Sequence, residues 1–128
     1  MEREPREGIG ALLEMLGEAA SMVGRLEAEA HEALFSRDDA GTHRKKLQEK
    51  AMILMELPER GEPFLGGLDA PAAREIRRRL EDFARRAGQA LDLGSIFYLS
   101  ALLHPDDEKE GDENDLERFV REAQKRFA

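Results

Sequence analysis

From Ile9 the chain carries a heptad pattern without interruption. Ile9, Leu16, Val23 and Ala30 form one apolar line, Leu12, Ala19, Leu26 and Ala33 a second, and Leu13, Ala20 and Leu34 widen the stripe. This spacing predicts a helix from about Gly8 to Phe35, roughly 40 Å long at the α-helical rise. Only neighbours of similar length can cover such a stripe. Ser36-Arg37-Asp38-Asp39 breaks the pattern and offers N-caps for a second helix, Asp39 to Leu57, with Ala40, His43, Leu47, Ala51 and Leu54 along one side. The two read as an antiparallel hairpin with a very short turn.

Pro58 to Leu68 holds two prolines and three glycines and reads as a loop. Phe64, Leu65 and Leu68 within it are too apolar to be left in water, so the loop should cap one end of the bundle. Asp69-Ala70-Pro71 is a helix start. Ala73, Ile76, Leu80, Phe83, Ala87 and Ala90 then recur three and four apart, and the stretch continues to His104. After Leu91 it becomes apolar nearly all round: Leu93, Ile96, Phe97, Tyr98, Leu99, Leu102 and Leu103. Such a segment is either deeply buried or covered by a partner. Gly88 and Gly94 weaken the helix, and Gly94-Ser95 is a candidate break. An acidic run from His104 to Asp115 precedes a last helix, about Glu113 to Phe127, with Leu116, Phe119, Val120, Ala123 and Phe127 on one face.

The expected fold is therefore all-α: an antiparallel four-helix bundle with long coiled-coil-like helices, five if the third breaks near Gly94. It forms a single domain over residues 1–128, with 1–7 and 105–112 flexible. The composition agrees, since 41% of residues are hydrophobic and 38% charged, a balance suited to amphipathic helices.

Charge and cysteine content narrow the function classes. A formal net charge of −8 argues against a general nucleic-acid binder. With no cysteine there is no disulfide framework, thiolate metal site or thiol nucleophile. The N-terminal MEREPREG leads into no apolar stretch long enough for a signal peptide or membrane span, so a cytoplasmic location is expected.

Few residues offer chemistry. Asp106, Glu108, Glu110, Gly111 and Glu117 fall on positions of the EF-hand calcium loop, but glutamates replace the shorter ligands, Glu113 replaces an aliphatic residue and no second hand exists. A solvated acidic loop is the stronger reading. His31 and His43 sit on helices without the Glu-x-x-His motifs that a di-iron bundle needs. Arg37 and His43 match the short Arg-x(4–6)-His pattern of HEPN-type ribonucleases, in which Arg37 would steady a phosphate and His43 act as acid or base. That pattern is common by chance in an arginine-rich chain. The basic band Arg74, Arg77, Arg78, Arg79, Arg85 and Arg86 reads as surface paired with glutamates such as Glu18, Glu27 and Glu29. No phosphate loop, nucleophile elbow or zinc-protease motif occurs. No catalytic residue, metal ligand or cofactor is assigned.

One segment resembles a known family. A helix ending in ALFSRD and a second carrying LQEKAMILMEL look like the hairpin of FlgN-type flagellar export chaperones. The positions that fit are Ala33, Leu34, Asp38, Leu47, Lys50, Ile53, Leu54 and Leu57, and a long later helix over Asp69 to His104 suits the same plan. Phosphate-regulator-like helical bundles share these generic features. The resemblance implies a partner-binding, mobile C-terminal amphipathic helix, to which Leu116, Phe119, Val120, Ala123 and Phe127 would correspond.

The functional expectation is a non-enzymatic protein-binding bundle, a secretion chaperone or adaptor that takes a partner helix in an apolar groove. Phe97, Tyr98, Leu99, Leu102, Phe119 and Phe127 are the expected binding residues. The alternatives are a homodimeric bundle, in which the same six residues form core or seam, a HEPN-like ribonuclease and a calcium-binding protein. The expected partner is a protein or a second copy of the chain, with neither nucleic acid nor membrane involved.

Overall fold

The computed structural model describes residues 5–104 and 113–127. They form five α-helices: α1 (Pro5–Arg37), α2 (Ala40–Gly61), α3 (Ala70–Leu93), α4 (Ile96–Ala101) and α5 (Asp115–Phe127). A 3₁₀ segment, Glu62–Gly67, joins α2 to α3. The all-α expectation holds, and the third predicted helix breaks at Gly94. Of the segments expected to be flexible, residues 1–4 and 105–112 lie outside the described residues. Pro5–Glu7 already belong to α1, so that helix starts earlier than its apolar stripe.

Cross-helix contacts fix the directions. Glu29 and Glu27 on α1 meet Lys46 and Lys50 on α2, so numbering rises on one helix as it falls on the other. Gly61 of α2 faces Leu80 of α3, while Arg44 reaches the Gly94 carbonyl at the other end. On α5, Asp115 meets Arg86, Phe119 meets Phe83 and Arg126 meets Glu75 of α3. Helices α1, α2, α3 and α5 thus form an up-down-up-down ring, with α5 packed on α1. Leu12, Leu16, Leu54, Leu57, Leu80 and Leu116 fill its centre.

Local chemistry sets the ends. Asp38 adopts a left-handed conformation (φ 51°), tolerable for aspartate, and the Asp39 N–H returns to the Ala33 carbonyl at 2.8 Å. Asp39 then caps α2, accepting from the Thr42 N–H at 3.0 Å and its hydroxyl at 2.6 Å. The α1–α2 turn is therefore as short as expected. Asp69 caps α3 through the Ala72 N–H at 2.9 Å.

The expected loop from Pro58 to Leu68 is largely helical instead. Pro58 lies inside the last turns of α2, which runs on to Gly61. Proline in a helix removes one N–H and is tolerated when packing holds the turn. Here Leu57 and Gly61 are both buried. The 3₁₀ segment then closes this end, with Leu65 buried and Phe64 and Leu68 packed against the core, as expected of a capping element.

The basic band also finds different partners. Helix α3 lies beside α2, and its side chains meet those of α5 rather than α1. Arg77 forks onto Glu62 (2.8 and 3.0 Å), Arg85 pairs with Asp82 and Arg79 lies over the Phe119 ring. Glu27 and Glu29 of α1 instead pair with Lys50 and Lys46 of α2.

Candidate functional site at the α3–α4 elbow

Gly94 ends α3 in a left-handed conformation (φ 63°), its N–H shared between the Ala90 and Leu91 carbonyls at 3.2 and 3.1 Å. Ser95 begins α4, a helix of only six residues. The chain turns here because glycine alone adopts this φ without strain. A second left-handed residue, Leu103 (φ 77°), closes the far side of α4. A leucine at that angle is strained and persists only where its surroundings hold it.

The elbow encloses a cleft of about 400 Å³. Gln89, Ala90 and Leu93 of α3 form one wall, Tyr98, Ala101 and Leu102 the other, and Arg86, His104 and Asp115 the polar end. Arg86 Nη1 lies 3.2 Å from Asp115 Oδ2. Its Nε is 3.3 Å from Asp82 Oδ2 but forms no hydrogen bond among the described residues. The outer rim is apolar: Leu93 is 64% and Tyr98 52% exposed, and Phe97, beside Tyr98 but outside the cleft lining, is 72% exposed. The rings of Phe97 and Tyr98 meet edge-on at 5.4 Å.

Beneath the elbow lies a polar cluster. Lys50 is completely buried, with Nζ 2.8 Å from Glu27 Oε2 and donating to the Leu99 carbonyl at 3.2 Å. The same Glu27 oxygen accepts from His104 Nε2 at 2.5 Å. Burial acts to raise the Glu27 pKa, but the His104 hydrogen bond and the Lys50 charge outweigh it and hold the carboxyl below the usual range. A buried ammonium is tolerable only when paired and hydrogen-bonded in this way. Backbone and core thus share one network: α1 supplies the carboxylate, α2 the cation, α4 a carbonyl, and His104 a wall of the cleft.

The six expected binding residues divide. Phe97 and Tyr98 stand on the outer surface of the elbow. Leu99 and Leu102 are buried beneath them in the chain's own core. Phe119 is buried against Phe83 (ring centroids 5.8 Å) and Phe127 is half-buried. These last two line a separate cleft of about 100 Å³ between α3 and α5. The apolar face of α5, expected from the family resemblance to be a mobile binding element, is packed on the bundle in this structure.

The other candidates have structural roles. His43 is buried, and its Nδ1–H donates to the Ala30 carbonyl at 2.9 Å, tying α2 to α1. Arg37 ends α1 and its charge bears on the capping Asp39. His31 stacks on Phe35, with centroids 4.5 Å apart. Of the EF-hand positions, 106, 108, 110 and 111 lie outside the described residues. Glu117 forms a capping box with Asn114: its carboxylate accepts from the Asn114 N–H at 3.0 Å, while Asn114 Oδ1 accepts from the Glu117 N–H at 2.8 Å. Among the described residues no three histidine or acidic side chains gather into a metal-sized group, and no helix is long and apolar enough to cross a membrane.

Sequence reading missed the Glu27–Lys50–His104 cluster, although one signal was available. His43, Leu47, Lys50, Leu54 and Leu57 recur four and three apart, which sets Lys50 on the apolar stripe of α2. A lysine there requires an internal counter-charge. No family model, curated protein or solved structure matches this chain.

Proposed function

We propose that this chain is a non-enzymatic, cytoplasmic protein-binding bundle that seats an apolar helix of another protein in the α3–α4 elbow. A secretion chaperone or adaptor, such as one of FlgN type, is the specific form of this reading. The observation that carries it is the pairing of the 400 Å³ cleft with three large exposed apolar side chains, Leu93 and Tyr98 in its lining and Phe97 against Tyr98. Clustered exposed apolar groups mark binding surfaces, whereas single ones do not. An open cleft with apolar walls suits the side chains that a helix presents three and four residues apart.

Area favours insertion of a helix over flat pairing of two copies. The exposed parts of Leu93, Phe97 and Tyr98 sum to roughly 400 Å², half of what each side of a stable interface contributes. A helix lying in the cleft also covers its walls.

The test is a tagged pull-down from the source cells with wild type, Phe97→Asp/Tyr98→Asp and Phe35→Asp. Phe35 is the matched control, since it is 70% exposed but lies on α1. The expected result is one enriched partner, retained by Phe35→Asp and lost in the double variant. Retention by the double variant would refute the elbow as the binding surface. Recovery of the chain alone, with a dimeric mass that the double variant abolishes, would replace the partner with a second copy.

A further inference from the structure

The elbow network has a further consequence for α4. This helix lies between two left-handed residues, Gly94 and Leu103, one permissive and one strained. Side chains of the α1–α2 hairpin hold the region largely through its backbone. Arg44 Nη1 donates to the Gly94 carbonyl at 3.0 Å and Lys50 Nζ to the Leu99 carbonyl at 3.2 Å, while His104 is tied to Glu27. Both walls of the cleft meet at Gly94, so any movement of α4 about that residue changes the cleft's width.

We propose that α4 is a latch: a short strap that detaches from α2 as a unit, hinged at Gly94 and Leu103, and held shut by the Glu27–Lys50–His104 network. Residues beneath the surface thereby set the width of the surface cleft. Detachment converts Leu103 from a strained to a relaxed backbone and gives the Lys50–Glu27 pair access to water. Both changes offset part of the loss of the apolar seats of Leu99 and Leu102, so the open state lies closer to the closed one than global unfolding does. The main-chain ties between the strap and the long helices lie at its two hinges. There the Gly94 N–H bonds the Ala90 and Leu91 carbonyls of α3, and the Asp115 N–H of α5 donates to the Leu103 carbonyl at 2.9 Å. Helix α4 can therefore leave α2 without unravelling those helices. The latch is a property of the free chain and stands whatever occupies the cleft.

Hydrogen exchange on the isolated full chain tests it, with Lys50→Met and Gly94→Ala as two independent ways of loosening the strap. Lys50→Met removes the Nζ bonds at similar side-chain volume. Gly94→Ala strains only the hinge, since a Cβ there would meet nothing within 4 Å. The expected result is exchange at least tenfold faster at the Leu99 and Leu102 amides in both variants, with Leu54 and Leu80 unchanged. Equal acceleration of all four amides would show that α4 opens only with the whole bundle and would overturn the latch. Unchanged exchange at Leu99 and Leu102 in both variants would overturn it as well. Neither result depends on a partner being found.

Discussion

The two ends of the bundle are closed by different physics. At one end the 3₁₀ segment packs Leu65, Phe64 and Leu68 onto the core, and Gly61 lets α2 and α3 approach without an intervening side chain. That closure is largely apolar, with the segment resting mainly on α1 and the Arg77–Glu62 pair on its exposed outside. At the other, a six-residue helix is held by Lys50, Arg44 and His104 reaching across the fold, and its outer face carries Phe97 and Tyr98 uncovered. Apolar closure is tolerant of rearrangement, since any well-packed shape serves. Polar closure specifies one arrangement and depends on every member of the network. The end closed by polar contacts is also the end that carries the elbow cleft.

The largest expected effect is at the polar end. Glu27→Gln removes the carboxylate shared by Lys50 and His104, leaving the fully buried Lys50 charge without that counter-charge, and should destabilise the fold by about 3 kcal/mol. Lys50→Met should cost less, because it removes the fully buried charge and leaves Glu27 partly exposed and bonded to His104. Urea denaturation midpoints measure both. Equal losses would mean that the pair acts as ordinary packing. At the apolar end, Gly61→Ala brings a Cβ within 2.7 Å of Leu80 Cδ1 in a filled core, and overpacking there should cost about 1–2 kcal/mol. The two ends differ in kind if that loss is insensitive to pH.

The smallest expected effect is the pH dependence of the polar end. The Glu27 pKa is lower in the folded chain than its ordinary value. Its contribution is therefore fully present above the ordinary glutamate range and is lost as pH falls through the lowered folded value. Wild type should lose a component of stability in that acid window that Glu27→Gln lacks, read as converging urea midpoints. Parallel pH profiles would contradict the network.

Much of the fold was legible because its signals are local. Periodicity placed α1 and the inner face of α3, Asp39 and Asp69 marked the caps of α2 and α3, and Gly94 marked the break. Pro58 misled because proline in a terminal turn leaves a helix intact when its neighbours are buried, and burial is a tertiary property. The capping box Asn114–Glu117 was equally local but competed with a calcium pattern sharing Glu117. The cluster beneath the elbow joins residues 77 apart in sequence, Glu27 and His104, which no local pattern connects. The inward turn of Leu99 beside outward Phe97 and Tyr98 was illegible for a related reason. A segment apolar all round does not say which side faces the core.

Photo-crosslinking tests the binding role of the elbow most directly. A benzophenone side chain would be placed at Phe97, and in a separate sample at the equally exposed Phe35, before irradiation in the source cells. The expected result is a single crosslinked protein partner from position 97 and none from position 35. Crosslinks from position 35 with none from position 97 would contradict the elbow as the recognition surface.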